Sequence, residues 1–391
     1  MNCFEDLEWR GLIKDISSPE LKKKLNEESL TFYIGTDPTA DSMHIGHFSS
    51  FLIATRLARY GHKPILLVGG ATGLIGDPKP SKERPMITVD QVNKNVEGLT
   101  KQAKDIFGFE VVNNYDWIKD ISTLDFLRDY GKYINVNYML NKDIISRRLE
   151  TGITFCEFAY TILQGLDFVH LYKTKGVTLQ VAGSDQWGNI TTGIELARKK
   201  EDVELYGMTM PLVLDSNGVK FGKTEGNALW LDKNKTSSYE LYQYLINADD
   251  KCVIDYLKKL TFLSKEEIMK IEEEHMKQPE LRKAQKVLAR EVITFLHGEE
   301  EAKKAQETSE AVFSGKVTDD MPTTEVTCEN DILSILVATE LAPSKSEARR
   351  LVMQGGVSID SKKILDPLYS PEKQEFVLQK GKKKIIKVKR N

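Results

Sequence analysis

Apolar and polar positions along this chain repeat with two different periods, and the changes of period divide it. Leu30-Thr-Phe-Tyr-Ile34 is β-branched and aromatic, the composition of a buried strand. Residues 48–60, FSSFLIATRLARY, place apolar side chains at i, i+3 and i+4, which predicts a helix closed by Gly61. Residues 63–69, KPILLVG, are apolar on both faces and predict a second strand. A strand, a helix and a strand with continuous apolar runs is the βαβ unit of a parallel sheet. Residues 8–30 read as a helical lead-in. Residues 88–150 read as an inserted helical stretch that interrupts the sheet, and 155–172 as one long apolar helix. Residues 179–189 predict a third strand ending in a glycine turn, and 210–214 a further strand before an Asp-Ser-Asn-Gly turn.

From Ser237 to about Gly315 the pattern is amphipathic helix throughout. Residues 316–325 are poor in large apolar groups, contain Pro322 and read as a linker. Beyond them, Ser344 and Glu347 form a capping-box signature for a helix that closes at Gly355-Gly356. Residues 357–360, 375–378 and 385–388 predict strands. The expected fold class is therefore α/β: a Rossmann-like parallel-sheet domain over 1–232 with a helical insertion at 88–150, an all-α domain over 233–320, and a small α+β module over 326–391.

Composition narrows the class. The 391 residues are 40% hydrophobic and 29% charged, as in a soluble globular protein. The net charge of -3 implies no global attraction to nucleic acid, but it is unevenly spread. Residues 331–391 hold 13 Lys and Arg against 7 Asp and Glu, whereas the first 330 hold 42 against 51. A basic end on an acidic body points to contact with an anion. Cys3, Cys156, Cys252 and Cys328 are far apart and form no CxxC pair, so reduced thiols are expected rather than disulfides or structural zinc. The N-terminus lacks an apolar h-region, and no uncharged run, the glycine-rich residues 64–76 included, is long enough to span a bilayer. A cytoplasmic protein with no membrane contact is expected.

In a parallel sheet, ligands bind at the carboxyl ends of the strands. There the chain supplies Tyr33–His47, YIGTDPTADSMHIGH, and a glycine-rich stretch over 69–78 that carries Asp77. Lys82 and Arg84 follow in a basic loop. Tyr160, Gln164 and Asp167 fall at i, i+4 and i+7 on the long apolar helix. On a solvated face these would be ordinary polar residues; on a buried helix they need partners, and a small polar ligand is the economical one. Gln180 lies in the third strand, with Asp185 and Gln186 at its end. Lys220 and Lys223 flank a glycine in a cationic loop, a weak signal alone. His44 and His47, three apart at a helix start, can bind phosphate oxygens beside the backbone N–H groups. Two other readings stay open: capping histidines, or a metal pair that lacks a third ligand. No Ser or Cys nucleophile with a paired His is evident, so the parts suit positioning and electrostatic stabilisation of a phosphoryl centre.

The order His44–His47 (HIGH), GATGLIGDP, Tyr160/Gln164/Asp167, GSDQWGN and KFGKT resembles the class I aminoacyl-tRNA synthetases, in detail the bacterial-type tyrosyl-tRNA synthetases. The C-terminal residues resemble the S-four-like RNA-binding module such enzymes carry. The resemblance covers essentially the whole chain. It implies that L-tyrosine attacks ATP to give tyrosyl-adenylate and pyrophosphate, and that the tyrosyl group then passes to the 3' end of tRNA(Tyr). It implies that Tyr33 and Asp167 bind the phenol hydroxyl, that Asp77, Tyr160 and Gln164 hold the ammonium, that Gln180 supports that end and that Gln186 faces the carboxylate. Asp37, Thr39, His44, Gly46, His47 and Asp185 fall to ATP, with Asp185 at the ribose. Lys220, Lys223 and Thr224, helped by Lys82 and Arg84, would close over the pyrophosphate.

The resemblance further implies no tightly bound cofactor, ATP as substrate with Mg2+, no protein-bound metal, and a homodimer formed partly through 88–150. Lys345, Arg349 and Arg350, with the lysine-rich tail, would contact RNA, although a lysine run more commonly just solubilises. Two positions depart from the family pattern: Ile34 stands where a small polar residue usually faces the ribose, and Ala182-Gly183 where two glycines are usual. The alternatives are a tryptophanyl enzyme, a small-molecule nucleotidyltransferase sharing HIGH, and an RNA-binding protein on an inactive synthetase scaffold.

Overall fold

The computed structural model describes residues 1–77, 87–150, 152–222, 228–313, 323–327, 329, 331–381 and 384–390. The chain forms two compact units, one of residues 1–235 with 254–264, the other of 236–253 with 265–391. No described helix is long and apolar enough to cross a membrane.

The first unit is built on a six-stranded sheet in the order β1-β6-β5-β2-β3-β4. The strands are β1 (Asp15–Ile16), β2 (Thr31–Thr36), β3 (Lys63–Val68), β4 (Glu110–Asn113), β5 (Val177–Gly183) and β6 (Tyr206–Met210). All pair in parallel except the short edge strand β1, which is antiparallel to β6. The apolar runs become the sheet core: Phe32, Tyr33, Ile34, Leu66 and Val68 are almost wholly buried. From β2 the chain winds outward through β3 to β4, while β5 and β6 wind the other way. The order therefore reverses between β2 and β5, where Tyr33 lies opposite Gln180. In a parallel sheet such a reversal is the place where ligands bind, at the strands' carboxyl ends.

Three expectations need correction. Residues 8–30 are not one helical lead-in: helices Cys3–Trp9 and Glu20–Glu27 flank strand β1. The strand expected at 210–214 ends where it was expected to begin, because Pro211 has no N–H for the ladder. Residues 213–221 instead form a hairpin, with Phe221 N–H donating to Val213 O and Gly218 at φ +78° in its turn. The stretch 88–150 does not interrupt the sheet. Helix Val89–Gln102 crosses over to β4, which extends the sheet beyond β3. A strand of four residues is too short to show a period, so the surrounding helices hid it.

A buried ion cluster fixes the Ile45–Arg59 helix. Asp6 accepts from Arg10 Nε at 2.7 Å and from Arg56 at 3.4 Å. Lys258 and Leu263 offer their carbonyls to Arg10 and Thr261 its carbonyl to Arg56. Two buried cations on one carboxylate are tolerable because these carbonyls take up most of the surplus donors, Arg56 Nε excepted. Burial, then the neighbouring Arg10, still pulls Arg56 down to about 10.

In the second unit, helices Ser238–Ile246, Lys265–Lys277, Lys283–His297 and Glu299–Phe313 realise the amphipathic pattern. They precede a five-stranded sheet in the order β7-β11-β10-β8-β9. Its strands are β7 (Thr323–Val326), β8 (Val357–Ile359), β9 (Lys362–Ile364), β10 (Glu375–Lys380) and β11 (Lys384–Arg390). Residues 323–325, read as linker, belong to β7, which pairs in parallel with β11; residues 316–322 lie outside the described residues. Ile332, Leu336, Ala348, Val352, Phe376 and Val388 form this module's core. Ser344 caps helix Lys345–Met353 through the Glu347 N–H, but the Glu347 carboxylate accepts from Arg350, so only half of the expected box is visible.

Candidate active site

At the end of β2 the chain turns into helix Ile45–Arg59 with His44 as N-cap. Gly46 N–H donates to His44 Nδ1 at 3.1 Å, and His44 N–H donates to His47 Nδ1 at 3.2 Å. The two rings stack with centroids 3.9 Å apart. An Nδ1 that accepts a hydrogen bond leaves the ring proton on Nε2. Burial, then its neighbour His44, pushes His47 down to about 3, so that ring is neutral near pH 7. The capping alternative is thus correct as geometry, and it is compatible with phosphate binding: capping uses Nδ1 and makes Nε2–H the outward donor. Gly46 is required here, since a β-carbon would lie 2.8 Å from His44 Cε1.

The lysine loop packs on this turn. Gly222 sits at φ +83°, and a β-carbon there would come within 2.1 Å of Ile45 Cγ2. Beyond it the chain returns alongside the turn, with Ile45 N–H donating to Leu229 O and Leu231 N–H to Met43 O, each at 2.8 Å. Phe221 is buried edge-on to Tyr256. Lys220 pairs with Asp185 at 3.2 Å, both side chains half exposed. Thr39 is exposed on the loop between β2 and this helix. Lys82, Arg84, Lys223 and Thr224 lie outside the described residues.

A chain of buried polar groups runs across the other end. Tyr160 donates to Asp37 Oδ2 at 3.0 Å, and Thr72 donates to Asp37 Oδ1 at 2.9 Å. Asn114 Nδ2 donates to Thr72 at 3.1 Å and to Asp167 Oδ2 at 3.0 Å. Trp117 Nε1 donates to Asp167 Oδ1 at 2.9 Å. Asp37, grouped from the sequence with the nucleotide, is therefore linked through this chain to Asp167. Asp167 is 1% exposed, and burial raises it to about 7, with Asp37 adding and the Asn114 and Trp117 donors opposing. Burial, then Asp37, also holds the Tyr160 phenol well above its usual value. A second network joins Gln186 to Asp77 at 3.0 Å, with Asn189 donating to both and accepting from Thr161. Gln164 is half-buried on the same helix as Tyr160 and Asp167.

Two groups break the pattern of satisfaction. The Tyr33 hydroxyl and Gln180 Oε1 are buried and, among the described residues, have no hydrogen-bond partner. They stand opposite each other on β2 and β5, at the sheet's reversal point. An unmet buried polar group costs about 1–3 kcal/mol, so two together mark a place where a ligand completes the structure. Ile34, the neighbour of Tyr33, is 2% exposed and packed in the sheet.

Asn114, Trp117, Thr72 and Asn189 were not anticipated. Asn114 and Trp117 follow β4 directly; the Val-Val-Asn-Asn run was the available signal, and it was lost with the strand. Among the described residues, no cluster of three or more His, Cys, Asp or Glu is placed to hold a metal ion. In the C-terminal module Lys345 pairs with Glu329 and Arg350 with Glu347, while Arg349 is exposed.

Residues 25–314 match the family model for class I tRNA synthetases (W and Y). The chain belongs to this family. Residues 314–388 match the model of the tyrosine–tRNA ligase SYY-like C-terminal domain. This synthetase is 47% identical to the tyrosine–tRNA ligase of Limosilactobacillus reuteri (strain DSM 20016), over 98% of each chain. It is 56% identical to tyrosine–tRNA ligase 2 of Streptococcus thermophilus (strain CNRZ 1066), covering 76% of this chain and 98% of that one. Among solved structures it resembles a C-terminally truncated mitochondrial tyrosyl-tRNA synthetase of Aspergillus nidulans, with 33% identity and a TM-score of 0.72 over 80% of this chain and 94% of that one.

Proposed function

We propose that this synthetase is a tyrosine–tRNA ligase that activates L-tyrosine with ATP and charges tRNA(Tyr). The observation that carries the reading is the facing pair of unmet groups, Tyr33 and Gln180, beside an Asp167 gripped by two donors. A phenol entering there donates to Asp167 and meets the Tyr33 hydroxyl. Phenylalanine leaves the Tyr33 hydroxyl unmet and brings no donor to Asp167, the general reason such a site rejects a substrate lacking the hydroxyl, and a rule whose standard illustration is this same enzyme family. Asp77, Tyr160 and Gln164 are assigned to the ammonium, Gln180 to the same end of the pocket and Gln186 to the carboxylate. That carboxylate attacks the α-phosphate of ATP; the α–β phosphoanhydride bond breaks and pyrophosphate leaves. His44 and His47 donate Nε2–H to phosphate oxygens from uncharged rings, and Asp185 takes the ribose. Lys220, with Lys223, Thr224, Lys82 and Arg84, neutralises the charge that gathers on the pyrophosphate. ATP enters with Mg2+ held by its own phosphates.

In this reading residues 1–232 are the catalytic domain, 233–320 an anticodon-side helical domain and 326–391 an RNA-binding module. Arg349, exposed on a capped helix, supports RNA-backbone contact there, with Lys345 and Arg350 beside it. Exposed Leu124, Leu127, Val136, Leu149 and Phe155 favour a homodimer contact on the catalytic domain. A cytoplasmic location follows from the role in translation. The test is ATP–pyrophosphate exchange with each proteinogenic amino acid in turn. Tyrosine alone should drive exchange; a response to tryptophan instead, or to none, would sink the assignment.

A further inference from the structure

Trp117 bridges two residues of one helix. Its Nε1–H reaches Asp167, and its ring lies flat on His170, with centroids 4.3 Å apart and planes 11° apart. Asp167 and His170 are three apart on helix Phe155–Lys175 and so share a face. His170 belongs to none of the motifs and is assigned no contact with substrate. An indole N–H points along the ring plane, so its bond to Asp167 is aligned only while that plane is held. A single hydrogen bond fixes the nitrogen and leaves the plane to swing; a flat stack from the next helical turn removes that freedom. His170 is half-buried, and burial lowers its pKa, so the stack is between two uncharged rings near pH 7.

We propose that His170 is a positioning residue for amino-acid selection: its imidazole clamps the Trp117 indole, which keeps Asp167 oriented toward the substrate's phenol. The proposal rests on the assignment of Asp167 to the phenol hydroxyl. It differs from simple packing in what it predicts. A packing residue would affect stability alone, whereas a clamp affects the choice between tyrosine and phenylalanine.

The test is ATP–pyrophosphate exchange by the full-length wild type, His170→Ala and His170→Phe, with tyrosine and with phenylalanine. His170→Ala should lower the tyrosine-over-phenylalanine ratio of kcat/KM by roughly 3- to 10-fold, the scale of one aromatic pair, with the loss in tyrosine KM and ATP KM within about twofold. His170→Phe keeps a flat ring and should return the ratio to within about twofold of wild type. An unchanged ratio in His170→Ala, or equal impairment of both variants at equal thermal stability, overturns the clamp while leaving the tyrosine assignment standing. A wild type without tyrosine-driven exchange overturns that assignment, and the clamp with it.

Discussion

The two ends of the proposed site solve opposite problems. At the end assigned to the amino acid the two key carboxylates are each held by two donors: the buried Asp167 by Asn114 and Trp117, the half-buried Asp37 by Tyr160 and Thr72. At the end assigned to the phosphates, Lys220 on the hairpin pairs with Asp185 beyond β5, both side chains half exposed. A half-exposed ion pair is worth little, so an incoming nucleotide can break it and recruit both partners. Under the proposed assignments, selection relies on fixed groups that are costly to leave unmet. Catalysis relies on charges that are cheap to move.

That contrast predicts separable damage. The largest effect belongs to Lys220→Ala: kcat for exchange should fall by about 10²–10³-fold, the scale of one lost transition-state donor, with tyrosine KM little changed. A loss carried mainly by tyrosine KM would erase the distinction between the ends. Next, Asp167→Asn should cost about 10²-fold in kcat/KM for tyrosine, because an amide NH2 must then face the Asn114 or Trp117 donor; ATP KM should move by less than about threefold. Equal losses for both substrates would place Asp167 outside the amino-acid pocket.

The smallest effect comes from pH. Asp167 titrates near 7 in the folded protein against 3.8 as its ordinary value. Only the ionised form accepts the phenol proton without surrendering one of its own. Tyrosine KM, measured by exchange, should therefore rise roughly tenfold from pH 8 to pH 6, and this dependence should vanish in Asp167→Asn. For the ligand-free protein the sign is reversed. A carboxyl whose pKa is raised by folding stabilises fully below about pH 4, and that contribution is lost as pH climbs through about 7. A tyrosine KM flat across this range would mean that Asp167 stays ionised throughout.

The sequence revealed most of what periodicity and glycine can encode. The parallel strands, the HIGH turn and the i, i+4, i+7 stripe of Tyr160, Gln164 and Asp167 were all legible. So was the glycine between Lys220 and Lys223, whose positive φ and contact with Ile45 explain why it must be glycine. Partnership was not legible. Nothing local to Asp37 indicates that it bonds Tyr160, 123 residues away. Strand β4 failed for a different reason: four residues carry too little period to register, and with the strand went Asn114 and Trp117.

β4 is an edge strand, bonded on one side only and just four residues long. Such a strand is among the first to open in native-state fluctuations. When it opens, Asn114 and Trp117 leave with it, and Asp167 is stranded in the interior without its donors. If Asp167 binds the substrate as proposed, recognition of the amino acid has a stability of its own, lower than that of the sheet it sits on. Amide hydrogen exchange would read it directly: Val111 and Val112 should exchange before Leu66 and Leu67, and bound tyrosine should slow the first pair far more than the second.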